Sequence, residues 1–275
     1  MSHLNIAFID PATPITSYEI FKMVLLAPIA ILRVFFILIV CNTFFAILPY
    51  LSHKVAQRGV AIFSALSLAA AGVYYIPVKG IEHLRNAKPL PIIVLNHISL
   101  LDGFLITRFV MVSTITTIAN KNNWFQGGYY RYSKTLFISP KDNITDKICQ
   151  RVNDPNTVFP LAVAPEGTVS TGKVLLKFKT GAFVPLKPVL PVLLRYPNKY
   201  MNPSFTSKTF ALSTYRLLTQ FVTYANVEFL PLVHPLPNET PKAFADRTRA
   251  IMGAALNVPL ANLDLDSKRA FVNAL

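Results

Sequence analysis

Two apolar stretches near the N-terminus constrain this chain more than any other feature. Met23 to Leu51 is almost wholly apolar apart from Arg33, Asn42 and Thr43, and Val60 to Pro77 is a second apolar run. At 1.5 Å per residue, either is about long enough to cross the roughly 30 Å hydrocarbon layer of a membrane. A central arginine costs about 2.5–3.5 kcal/mol on insertion scales, and Pro28 and Pro49 can kink a helix. Three arrangements compete: two spans, a tilted or half-inserted hairpin, and a helical pair buried in a soluble core. A cleaved signal peptide fits poorly, because the first run starts late, after Pro11 and Pro14, without a basic lead-in. Lys22 before the pair and Lys79, Arg85 and Lys88 after it outnumber Lys54 and Arg58 between the runs. That bias places both the N-terminus and the main domain on the cytoplasmic side.

Composition agrees with a membrane setting. Only 15% of the 275 residues are charged, against roughly 25% in soluble globular chains, which argues against an ordinary cytosolic enzyme. A hydrophobic content of 52% excludes disorder. The net charge of +14 is spread unevenly. Residues 1–77 hold four basic and two acidic side chains, whereas Lys121 to Lys199 alone holds 12 basic and 4 acidic ones. The chain therefore divides into an anchor over 1–77 and a basic domain over 78–275. Cys41 and Cys149 make no disulfide scaffold, and no Cys/His cluster has zinc-ligand spacing, so no metal is expected.

Beyond Pro91 the pattern changes to short β-rich runs. Ile92–Leu95, Thr114–Ala119, Thr135–Ser139, Val158–Ala164, Val189–Leu194 and Val227–Leu232 read as strands. Leu100–Met111, Thr145–Val152, Ser207–Phe221 and Pro241–Leu256 read as helices between and after them. This alternation predicts an α/β fold: a mixed, largely parallel sheet flanked by helices, carrying the N-terminal apolar hairpin as a membrane anchor. Reactive groups in such sheets collect at the carboxyl ends of the strands.

Two strand ends carry chemistry. In Asn96-His97-Ile98-Ser99-Leu100-Leu101-Asp102 a polar pair ends an apolar strand and a helix follows. A histidine there can accept a proton from a hydroxyl near neutral pH, and a carboxylate can fix its tautomer and stabilise the imidazolium. Five residues span about 140° on a regular helix, so His97 and Asp102 meet only if the histidine precedes the helix. Ser99 and Asp102 also fit a plain capping box, with Asp in the Glu role. The second end is Pro165-Glu166-Gly167-Thr168, where a glycine admits close backbone approach and exposed N–H groups with Lys173, Lys177 and Lys179 suit a phosphate. A loop turn with solvated Glu166 is the plainer alternative. Gly167-x-x-x-x-Gly172-Lys173 misses a nucleotide P-loop only at Val174, where the magnesium-binding hydroxyl is absent.

Together the two segments are more specific than either alone. His97-x-x-x-x-Asp102 with Pro-Glu-Gly-Thr about 60 residues later resembles the glycerolipid acyltransferase family. Leu175–Phe183, Pro188–Lys199 and Val227–Pro231 are similar to its lysophosphatidylcholine acyltransferase branch. The resemblance implies transfer of a fatty acyl group from acyl-CoA to the free hydroxyl of a lysophospholipid, with His97 as general base and Asp102 orienting it. Asn96, Ser99, Glu166, Gly167 and Thr168 would line the substrate site, and Lys141 or Arg195 would meet a phosphate. One departure stands out: the family's second block ends in arginine, whereas Phe137-Ile138-Ser139 here leads to Pro140-Lys141, and lysine lacks arginine's bidentate fork. Acyl-CoA is then a co-substrate and no cofactor is needed. No Gly-x-Ser-x-Gly elbow calls for an acyl-enzyme. The partners implied are a lipid bilayer, acyl-CoA and lysophospholipid; the positive charge suits acyl-CoA and acidic headgroups without a nucleic acid. In a eukaryote the endoplasmic reticulum membrane is the expected location. Lysophosphatidic acid or glycerol 3-phosphate is the alternative acceptor, and a catalytically silent lipid-binding protein the alternative of another class. Trp124, Tyr129 and Tyr130 fit core packing better than an interfacial belt or an acyl tunnel. Asn143 and Asn238 sit in glycosylation sequons that a cytoplasmic domain would not use.

Overall fold

A computed structural model describes residues 3–8, 15–87, 92–122, 126–139, 141–197 and 201–274. Trp124, Lys88, Pro140 and Lys199 lie outside the described residues. In chain order the strands are β1 (Val78–Lys79), β2 (Ile92–Leu95), β3 (Ile115–Thr117), β4 (Leu136–Ile138), β5 (Ala162–Val163), β6 (Val189–Arg195) and β7 (Asn226–Phe229). The helices are α1 (His3–Phe8), α2 (Ser17–Leu25), α3 (Ala27–Ile47), α4 (His53–Ala70), α5 (Ile81–Asn86), α6 (Asp102–Thr107), α7 (Gly127–Tyr132), α8 (Ile144–Asn153), α9 (Phe210–Leu218), α10 (Pro241–Leu256) and α11 (Leu265–Asn273).

The main sheet has the order β1-β7-β6-β2-β5, parallel except where β6 meets β7. β3 and β4 form a separate parallel pair. Strand β2 is apolar at every position because both faces are covered. Ile93 and Leu95 point with Leu190, Val192 and Leu194 into a core shared with Leu101, Leu105 and Ile106. Ile92 and Val94 point the other way, with Val189 and Leu193, onto Phe178, Phe183, Phe244 and Met252. The period of two thus sorts neighbouring residues onto opposite layers.

β2 and α10 have the predicted limits, and local signals explain α10. Thr240 caps its N-terminus by accepting from the Ala243 N–H at 3.2 Å, Pro241 occupies the first turn, and Asn257 ends it at φ 58°. Helix α8 and strand β6 run slightly past their expected limits, to Ile144–Asn153 and Val189–Arg195, and the other elements are shorter than or offset from the patterns. The helix expected over Leu100–Met111 occupies only Asp102–Thr107, and the strand expected over Val158–Ala164 only Ala162–Val163.

The two apolar runs part ways. Leu26 and Pro28 begin α3 rather than kink it, and Pro49 closes it in a 3-10 turn over Leu48–Tyr50. Among the described residues, Ala27–Tyr50 is the one stretch long and apolar enough to cross a membrane. Helix α4 instead packs into the domain: Ser64 shares a hydrogen bond of 2.8 Å with Thr107 of α6. Cys41, Phe45 and Leu48 of the α3 region and Val60 and Phe63 of α4 share one core with Met111, Tyr129 and Phe159. Tyr129 is thus a core residue, its hydroxyl donating to the Val112 carbonyl at 2.6 Å.

Arg33 is neither solvated nor orphaned. Its guanidinium donates to the carbonyls of Leu218 at 2.8 Å and Gln220 at 2.6 Å, closing the C-terminus of α9. Lys22, Glu19 and Arg216 join α2 to the same helix, with Glu19 accepting from Lys22 at 2.5 Å and from Arg216 at 3.0 Å. The faces turned away carry exposed Phe21, Leu25, Leu32, Phe35 and Ile39. Arg33→Met leaves two helix-end carbonyls without a donor, at a cost of about 1–3 kcal/mol. Thermal unfolding in detergent should show a lowered Tm; an unchanged Tm would mean that this contact does not hold α3 to the domain.

Candidate functional site

The site begins where β2 stops. The Asn96 side chain takes over from the backbone ladder: its amide donates to the Leu194 carbonyl at 2.9 Å and its oxygen accepts from the Leu194 N–H at 2.8 Å. This side-chain bridge replaces one rung of the pairing between β2 and β6 and frees the following residues to turn out of the sheet. His97 comes next, with its side chain about one-third exposed (35%). Asp102, in the first turn of α6, lies behind it with its side chain only 3% exposed.

Four donors converge on the Asp102 carboxylate. Oδ2 accepts from His97 Nδ1 at 2.7 Å, from the Ile98 N–H at 2.7 Å and from the Ser99 N–H at 3.0 Å. Oδ1 accepts from the Tyr196 hydroxyl at 2.6 Å. The dyad forms, whereas only half of the capping box does: Ser99 N–H donates to Asp102, but Ser99 Oγ accepts from the Leu101 N–H at 3.2 Å rather than from Asp102, and Leu101 is the helix N-cap. With Nδ1–H directed at Asp102, the remaining ring nitrogen, Nε2, carries the lone pair that a base needs.

The Pro165–Thr168 turn closes the other side. Glu166 is not a solvated loop residue: it is 1% exposed. Its Oε1 accepts from the His97 N–H and its Oε2 from the Leu176 N–H, both at 3.0 Å. Ser170 N–H donates to the His97 carbonyl at 2.9 Å, so His97 is gripped at both its backbone ends by this loop. Gly167 adopts φ +68°, and a Cβ there would lie 2.9 Å from Lys179 Cε. The positive φ is what calls for glycine here; the Lys179 side chain is flexible enough to move aside. Thr168, next in the turn, is half-buried.

These contacts set the protonation chemistry. Burial alone would pull the His97 pKa down, but the Asp102 hydrogen bond and the Asp102 and Glu166 charges outweigh it and leave the imidazole pKa raised. Burial pushes the Glu166 carboxyl up to about 7, against N–H bonds from Leu176 and His97 that favour its anion. Burial, then the adjacent Asp102 charge, drives the Tyr196 phenol well above its ordinary range, so it stays a hydrogen-bond donor.

The remaining sequence candidates are dispersed. The Arg195 guanidinium is engaged by Glu228 at 2.7 Å and by the Ala255 carbonyl at 2.6 Å, on the sheet face opposite Tyr196. Lys141 is exposed in the turn after β4. Asn96, Ser99 and Glu166 spend the polar atoms described above on backbone groups, which makes them supports of the His97 segment. Tyr196, just past the end of β6, joins the site without a sequence signal: nothing local in Arg195-Tyr196-Pro197 announces a partner near residue 102. Among the described residues no three His, Cys, Asp or Glu side chains gather as a metal site.

Residues 75–193, which include the dyad and the Pro-Glu-Gly-Thr turn, match the acyltransferase family model. This region is an acyltransferase-family domain. Among its curated relatives, a lysophospholipid acyltransferase of Xenopus tropicalis is 30% identical over 215 residues, covering 75% of this chain and 41% of that protein. Lysophosphatidylcholine acyltransferase 2 of Rattus norvegicus is 30% identical over 234 residues, covering 81% of this chain and 42% of that protein. The chain thus spans less than half the length of these relatives. Its fold is similar to that of the 1-acyl-sn-glycerophosphate acyltransferase PlsC of Thermotoga maritima, with a TM-score of 0.62 at 18% identity over 87% of this chain and 94% of that one.

Proposed function

We propose that this acyltransferase moves a fatty acyl group from acyl-CoA to the free glycerol hydroxyl of a lysophospholipid, with a lysophosphatidylcholine-type acceptor and His97 as general base. The observation that carries the reading is the partly exposed imidazole whose Nδ1 is tied to buried Asp102 at 2.7 Å. The other ring nitrogen takes the hydroxyl proton as the oxygen attacks the thioester carbonyl. A C–O bond forms, the tetrahedral intermediate collapses with cleavage of C–S, and the imidazolium returns its proton to the CoA thiolate. Asp102 stabilises the transient imidazolium, and Tyr196, Asn96, Ser99 and Glu166 hold the two residues in place. Gly167 and Thr168 offer the headgroup an open backbone surface, with Lys141 or a neighbouring lysine as the phosphate partner.

Lysophosphatidylcholine is favoured because the curated relatives named above carry lysophospholipid and lysophosphatidylcholine acyltransferase names. The exposed apolar flank of α2 and α3 supports a bilayer as the platform, and the pinning of Arg33 to α9 favours a half-inserted helix over a free span. The basic side chains around the site favour anionic acyl-CoA over nucleic acid. The cytoplasmic face, and in a eukaryote the endoplasmic reticulum, follow from the lysine and arginine bias around the apolar runs. The test is release of free CoA thiol with the full chain, acyl-CoA and vesicles containing lysophosphatidylcholine, lysophosphatidic acid or neither, and with glycerol 3-phosphate. Release only with lysophosphatidylcholine is expected. Release only with the other two acceptors would overturn the acceptor assignment, and no release with any acceptor would overturn the enzymatic reading.

A further inference from the structure

The C-terminal helix α11, outside the region that matches the family model, places one buried cation against the site. Lys268 is 8% exposed. Its Nζ donates to the Val169 carbonyl at 2.6 Å and to the Phe205 carbonyl at 3.2 Å. The Phe8 ring of α1 lies 5.7 Å from the ammonium and itself packs on Phe271, with ring centroids 5.9 Å apart. Helix α1 grips the same loop: the Thr171 N–H donates to the Ala7 carbonyl at 2.9 Å and Thr171 Oγ1 to the Ile6 carbonyl at 2.5 Å. Both ends of the chain thus close on Glu166–Thr171, the loop that holds the His97 backbone at both ends.

We propose that Lys268 is a positioning residue for acyl transfer: its ammonium fixes the Val169 carbonyl, and with it the Glu166–Thr171 loop, while its charge balances the Asp102 and Glu166 carboxylates around His97. The role rests on His97 acting as general base. The charged groups facing the imidazole are Asp102 from α6, Glu166 from the loop after β5 and Lys268 from α11, with the Tyr196 hydroxyl behind Asp102. Arg249 of α10 faces Glu166 as well, its guanidinium donating to the carbonyls of Leu175 and Ala261 at 2.8 and 2.5 Å. Lys268 opposes the carboxylates in their upward pull on the His97 pKa. Burial depresses its own pKa to about 8, with Glu166 acting the other way.

The experiment compares pH profiles of kcat/KM for the wild-type chain, Lys268→Met, Lys268→Arg and His97→Ala, using acyl-CoA and lysophosphatidylcholine vesicles. Without the cation the imidazole holds its proton more tightly, so the acid limb of Lys268→Met should move to higher pH. Its kcat should fall by roughly 10–100-fold as the loop loses its anchor. Lys268→Arg should restore the wild-type acid limb. An acid limb unmoved in Lys268→Met, or one that Lys268→Arg fails to restore, overturns the proposal; Lys268→Gln, which keeps a donor for the Val169 carbonyl but not the charge, should move the acid limb as Lys268→Met does and decides if the methionine variant does not fold. An inactive His97→Ala beside unshifted Lys268 profiles removes only the role of Lys268, whereas an active His97→Ala removes the general-base reading beneath it.

Discussion

Replacing His97 with alanine should reduce CoA release by about 10²–10⁴-fold, the range that a positioned general base contributes, while the melting temperature stays close to that of the wild type. The two readouts separate because the side chain and the backbone of this residue do different work. The imidazole is partly exposed, and its hydrogen bond to protein is the one to Asp102. The backbone bonds to Glu166 Oε1 and from the Ser170 N–H survive the substitution. Loss of activity with retained stability therefore assigns chemistry to the ring. Activity within a few-fold of wild type would sink the general-base role. The pH dependence gives the matching sign. Since the His97 pKa is raised by Asp102 and Glu166 despite burial, the base form is lost below a pH higher than the ordinary imidazole value, and the acid limb of kcat/KM should lie above about 6.5.

Asp102→Asn should act differently, with an effect approaching about 10⁴-fold, the size seen when the orienting carboxylate of an acid–base histidine is neutralised in hydrolytic triads. An asparagine oxygen can still accept from His97 Nδ1, Ile98 and Ser99, and its amide can turn toward the Tyr196 oxygen, so the shape of the turn is retained. What disappears is the negative charge that stabilises the imidazolium. Asp102 raises the His97 pKa through both a hydrogen bond and its charge, so the residual activity of Asp102→Asn should have its acid limb at lower pH than wild type. A reduced rate with an unmoved limb would show that Asp102 serves the fold of the turn alone. Together the two substitutions distinguish a base from the group that keeps it usable.

The dyad was legible in the sequence because proximity there is local: five residues, a strand end and a helix start suffice to bring His97 onto Asp102. Strand β2 was legible for a related reason, since four consecutive apolar residues demand cover on both faces. Other features depend on partners far along the chain. The Arg33 donor reaches a carbonyl 185 residues away, so in the sequence it reads only as a charge in a greasy helix. Tyr196 acquires its role from the parallel pairing of β2 with β6, which sets residues after Leu194 beside residues after Leu95. Helix α7 opens on Gly127-Gly128, a poor helical start by propensity. It forms because the chain must pass close to α3: a Cβ on Gly128 would lie 2.4 Å from the Phe45 carbonyl oxygen. Glu166 looked like a solvated loop acid or a ligand contact, because nothing in Pro-Glu-Gly-Thr announces that two backbone N–H groups will enclose its carboxylate.

The core shared by Cys41, Phe45, Val60 and Phe63 with Met111, Tyr129 and Phe159 has a practical consequence for anyone who would trim the chain to a soluble fragment. A cut at residue 78 removes the lid from that core and strips the α9 carbonyls of their arginine. What remains would present the underside of its own interior to water, and such a surface drives self-association. The greasy segment is therefore structural roofing as well as the proposed attachment to lipid, and the two duties cannot be separated by a truncation at the boundary where hydropathy changes.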